Sequence, residues 1–101
     1  MPETRGAITV EGARCGWALD GGALHLHGFD GDTAAIAALV ARAERIAGEQ
    51  NAAVCVTTLD EHDRWVDPLV GCGFERDDAE LYVRNGEVRT EITLLRVVQP
   101  G

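Results

Sequence analysis

At 101 residues and 10.8 kDa the chain has the length of one domain, enough to bury a core without disulfide staples. An apolar fraction of 46% beside 26% charged residues excludes a disordered chain, and no apolar run approaches the roughly 20 residues of a membrane helix. Nine arginines, no lysine and 17 acidic residues leave a net charge of −8, which repels nucleic-acid backbones and anionic lipid, so neither nucleic acid nor membrane is an expected partner.

The start, Met1-Pro2-Glu3-Thr4-Arg5-Gly6, lacks the basic-then-apolar character of a secretory leader. Cys15, Cys55 and Cys72 stand at no metal-like spacing and suit a reducing compartment. The expectation is a cytoplasmic protein with a single domain over residues 1–101.

The first third reads as β. Ala7–Val10, Arg14–Leu19 and Ala23–His27 are short runs separated by Glu11-Gly12 and Asp20-Gly21-Gly22, the punctuation of tight hairpins in an antiparallel meander. In the third run Leu24 and Leu26 fall on one face, His25 and His27 on the other. From Thr33 to Ala47 the period changes: Ile36, Leu39, Val40, Ala43 and Ile46 form one helical stripe, with Asp30 or Asp32 to cap it and Gly48 to stop it. Ala52–Thr57 is a nearly all-apolar strand, as expected where both faces are covered. Asp60 to Val70 predicts a second helix capped by Asp60, with Trp65 and Leu69 inward, a kink or early end at Pro68, and Gly71 and Gly73 beyond it. Asn85-Gly86 then joins Leu81–Arg84 to Val88–Val98 as a hairpin. A two-residue turn pairs Val83 with Val88, Tyr82 with Arg89 and Leu81 with Thr90. Leu81, Val83, Val88, Ile92 and Leu94 then share a face. The class is α+β, a mostly antiparallel sheet with two helices in the order β-β-β-α-β-α-β-β.

Charge is concentrated. Eight acids against Arg64 and Arg76 between Asp60 and Glu80 hold −6 of the −8. The window is either a solvated surface or a site for a cationic small molecule or a basic protein. Serine is absent from the chain, which excludes serine hydrolysis, and no Walker or dinucleotide loop is present. Cys15 with His25 and His27 is too small a ligand set for a metal, so none is expected.

The order of elements, with Leu69-Val70-Gly71-Cys72-Gly73-Phe74-Glu75 after the buried strand, resembles the core of the GNAT-type acyl-CoA N-acyltransferases. In that family a Gly-Phe pair opens the final hairpin, and Gly73-Phe74 fits that place. The resemblance covers residues 13–98 and leaves out the family's first strand and paired N-terminal helices. It implies an acetyl-CoA or other acyl-CoA cofactor and transfer to a small amine, with Leu26, Gly28, Gly31 and Thr33 as cofactor residues. His25 or His27 would be the base, His62 the acid toward the leaving thiolate, and Glu80 and Tyr82 the residues holding the amine. The family's pyrophosphate loop has the form Gln/Arg-x-x-Gly-x-Gly/Ala; here it is Gly28-Phe29-Asp30-Gly31-Asp32-Thr33, with Gly31 at the central glycine and two carboxylates added. His62 and Leu69 stand where the family often has Asn and Tyr. Anions in a phosphate cradle oppose cofactor affinity. The alternative is therefore a non-enzymatic module of the same fold, homo-oligomeric or partner-binding. A homodimer formed by sheet pairing or exchange of the Val88–Val98 strand would cover exposed sheet edges. A further alternative is a STAS-like regulatory domain, in which Thr57 or Thr58 is the phosphorylated residue.

Overall fold

The computed structural model describes residues Thr4–Val98. Six strands, β1 (Arg5–Val10), β2 (Ala13–Asp20), β3 (Ala23–Gly31), β4 (Val54–Asp60), β5 (Glu75–Arg84) and β6 (Glu87–Val97), form one sheet in the order β1-β2-β3-β4-β6-β5. Of the paired neighbours only β3 and β4 are parallel, joined over Ala23–Val54, Leu24–Cys55 and His25–Val56. Helices α1 (Ile36–Glu49) and α2 (Val66–Gly71) make the two crossovers between parallel strands, β3 to β4 and β4 to β5. Both connections step the same way across the sheet, so right-handed crossing puts both helices on one face.

Burial follows from that arrangement. Leu24, Leu26, Cys55, Thr57, Ile92 and Leu94 are buried beneath the helices, while the alternate residues His25, His27 and Thr58 are exposed. The α1 stripe of Ile36, Leu39, Val40, Ala43 and Ala47 closes over Trp17, Leu24 and Leu26. Each such large side chain contributes roughly 1.5–3 kcal/mol on burial. Arg96 ties the layers together, pairing with Glu44 of α1 at 2.7 Å and donating to the Cys72 carbonyl at the end of α2.

The terminal hairpin has the expected register, with Val83 opposite Val88 and Tyr82 opposite Arg89. Asn85 (φ 52°) and Gly86 (φ 78°) both take the left-handed conformation that this two-residue turn requires. Several boundaries differ from the sequence expectation. A 3-10 turn at Thr33–Ala35 precedes α1, and the helix runs through Gly48 before the chain reverses at Asn51 (φ 58°). The second helix is shorter than expected because Asp60 ends β4 instead of capping it. Pro68 consequently falls in the first turn of α2, where a missing N–H breaks nothing. Only one face of β4 is covered. Val88–Val98 is not an edge either, because β6 lies between β4 and β5.

Candidate functional site

Backbone pairing between β3 and β4 stops at His25–Val56, and the strands part beyond that point. The crevice so formed opens toward the loop before α1 on one side and the loop before α2 on the other. Side chains of the chain itself span it. The buried Thr57 hydroxyl donates to the Leu26 carbonyl at 2.7 Å. Farther out, Phe29 packs on Trp65 with ring centroids 5.4 Å apart. The Arg64 guanidinium donates to the Gly31 carbonyl at 2.7 Å while lying 4.9 Å from the Trp65 ring centre.

The loop leading into α1 is equally engaged. Asp32 N–H donates to the Gly12 carbonyl, Ala34 N–H to Asp32 Oδ1 and Ala35 N–H to the Asp32 carbonyl, at 2.8, 2.9 and 3.0 Å. The Ile36 N–H closes on the Thr33 carbonyl. Asp32 thus occupies the Ala34 N–H with its carboxylate and the Ala35 N–H with its carbonyl, two donors that a phosphate at this turn would need. Asp30 lies 3.6 Å from Arg14, so Asp32 is the stronger objection to an anion. Gly31, at φ 107°, is small for an internal reason: a Cβ there would run into the Gly12 carbonyl and the Ala13 backbone of the neighbouring strand. Nothing crowds Gly28, and Thr33 opens the 3-10 turn. The loop does not fit a pyrophosphate as it stands.

The histidines separate. His25 and His27 project from the helix-free face, with the His27 ring over Gly16, whereas Cys15 is buried under α1 and cannot join them on a metal. Among the described residues no cluster of metal-ligating side chains occurs. His62 lies well away in the loop after β4, 3.4 Å from Glu61 and largely exposed.

What the structure does assemble is a pocket at the end of β4. It measures about 490 Å³, with Asp60, Glu61, His62, Asp63, Glu87 and Arg89 among its lining residues. Tyr82 donates its hydroxyl to Asp60 Oδ2 at 3.0 Å, and Arg89 approaches the same oxygen at 3.5 Å. The His62 backbone N–H on Oδ1, then the Tyr82 hydroxyl and Arg89, hold the Asp60 carboxyl below its ordinary range. Glu80 sits on the same sheet face, opposite Glu91. Asp60 and Arg89 were not expected as site residues, since the sequence placed Asp60 as a helix cap and Arg89 only as a hairpin partner of Tyr82. The signal lay in the hairpin register, which puts Arg89 beside Tyr82.

No protein-family model matches the chain, and no curated protein sequence does. Solved structures do match. The aminoglycoside 6'-N-acetyltransferase from Enterococcus faecium superposes with a TM-score of 0.75 at 14% identity, over 100% of this chain and 78% of that one. This chain's fold is that of the GNAT-type acetyltransferases. The ribosomal-protein-S18-alanine N-acetyltransferase from Escherichia coli gives 0.74 at 10% identity, over 100% and 74%. A probable acetyltransferase from Staphylococcus epidermidis gives 0.74 at 16%, over 87% of this chain and only 61% of its own length. The GNAT-like architecture and its closing hairpin exclude the STAS-like alternative; of its two candidate threonines, Thr57 is buried on the Leu26 carbonyl and Thr58 is exposed within β4. None of the helices among the described residues is long and apolar enough to cross a membrane.

Proposed function

We propose that this chain is a GNAT-fold binding module that acts by association, in the cytoplasm, and not by acyl transfer from CoA. One observation carries the reading: Asp32 takes the Ala34 N–H on its carboxylate and the Ala35 N–H on its carbonyl in the turn that leads into α1, the place where the fold would otherwise receive a pyrophosphate. The Phe29–Trp65 packing and the Arg64 contact across the crevice support it.

Calorimetry with acetyl-CoA at low salt is the test, on the natural chain and on Asp30→Ala/Asp32→Ala. The natural chain is expected to give no binding heat. A dissociation constant below ~100 μM for the natural chain overturns the reading. A gain of binding in the variant alone identifies Asp30 and Asp32 as the obstruction.

A second reading, acyl transfer to a small cationic amine, is favoured by the acidic pocket beside the crevice. There Asp60 and Tyr82 would hold the ammonium group, with Glu80 close by on the same face. His62 lines this pocket, whereas His25 and His27, farther back on the same sheet face, do not.

A further inference from the structure

The sheet face opposite α1 and α2 carries no covering element among the described residues. Its middle is uncharged and largely apolar. Ala18, Val54, Val56 and Leu95 are half-buried there, Val97 is 59% exposed, and His25 and His27 stand beside them. For a chain of net charge −8, an apolar patch on the widest face, bordered by Glu75 beside Leu95 but with no carboxylate among these residues, is out of keeping with a solvated surface.

Charge on this face is distributed unevenly. Glu75, Asp78, Glu80, Glu87, Glu91 and Asp60 lie on the β5, β6 and β4 side, relieved by Arg84 and Arg89. On the β1 and β2 side, Arg5 and Arg14 offset Asp20 and Asp30. We infer that a second copy of this chain covers the face, packed sheet on sheet about a two-fold axis running parallel to the strands. The charges select that axis. A two-fold perpendicular to the strands sets one acidic side over the other, whereas the parallel axis sets it over the side that carries Arg5.

The area suffices. Six strands at ~4.8 Å spacing, overlapping along about five residues of ~3.3 Å each, give roughly 500 Å² per copy and ~1,000 Å² in all. That reaches the lower bound of a specific interface. Two sheets meeting through Val54, Val56, Leu95 and Val97 make an ordinary sandwich core.

This inference names the partner in the association reading, and it rests on that reading only for its purpose, since the interface involves neither the α1 loop nor the crevice. Sedimentation of the full chain at micromolar concentration is expected to give twice the 10.8 kDa chain mass. Val56→Glu/Val97→Glu is expected to raise the dimer dissociation constant roughly 100-fold or more. Val97→Glu alone, at an exposed position, gives a smaller rise in the same direction with no burden on folding. Leu81→Asp/Val88→Asp, on the exposed apolar patch of the helix-side face of the hairpin, leaves the dimer intact. A natural chain sedimenting as a monomer overturns the inference. So does a dimer indifferent to Val97→Glu, or one dissociated by the hairpin variant instead. A dimer that also binds acetyl-CoA keeps this inference and ends the reading under which the protein acts by association alone.

Discussion

The Thr57 hydroxyl bonds the Leu26 carbonyl at 2.7 Å across two strands whose backbone pairing has already ended at His25–Val56. The bond replaces a missing rung of the sheet with a side chain. It also occupies a strand carbonyl that would otherwise face the crevice. Because the pair is buried, Thr57→Val strands the Leu26 carbonyl without a donor and is expected to lower stability by about 1–3 kcal/mol. Thr57→Ser restores most of that. Urea denaturation of the three proteins decides it, and equal midpoints for all three would show that the bond contributes nothing.

The cysteines are predicted to differ in reactivity. Burial pushes the Cys15 thiol up to about 11. Cys55 is likewise pushed up to about 11, by burial first and then by the Glu44 carboxylate. At pH ~8 neither supplies thiolate to an alkylating reagent. Cys72 is half-buried at the end of α2. Iodoacetamide is therefore expected to label Cys72 alone in the native protein and all three cysteines in denaturant. Rapid native labelling of Cys15 or Cys55 would contradict the packing described for β2 and β4.

Asp60 gives a pH dependence of known sign. Its carboxyl is held below the ordinary value by the His62 N–H first, then by the Tyr82 hydroxyl and Arg89. A carboxyl depressed in the folded state contributes stability above its unfolded pKa, and that contribution is lost as pH falls through the folded value. The stability difference between the natural chain and Asp60→Asn is expected to be largest near neutrality and to shrink as pH drops from about 6 to about 2. A difference independent of pH would mean that the carboxylate charge plays no part in the Tyr82–Asp60–Arg89 cluster.

Much of the architecture was legible in the sequence because local chemistry agreed with the fold. Asn85-Gly86 set the register of the last hairpin, and the alternation in Leu24–His27 assigned its two faces correctly. The second helix was misjudged for a physical reason. Asp60 and Asp63 make short turns by accepting from His62 N–H and Trp65 N–H, and the same side-chain chemistry caps helices. The Val54–Val56 run gave a strand, yet its apolar outer face does not come from a helix on each side. The crevice was out of reach because Thr57 with Leu26, and Phe29 with Trp65, meet across 31 and 36 positions of sequence.

The short β3–β4 junction has a mechanical consequence. Three register pairs join these strands, whereas β1–β2 share six and β4–β6 share seven. The weakest line across the sheet therefore runs down its middle, not along its edges. On one side of that seam lies the opening meander, and on the other lies the unit of β4, β5, β6 and α2, with α1 strapped across both. Amides flanking this seam are expected to exchange with solvent faster than those between β4 and β6, and equal protection of the two junctions would contradict it.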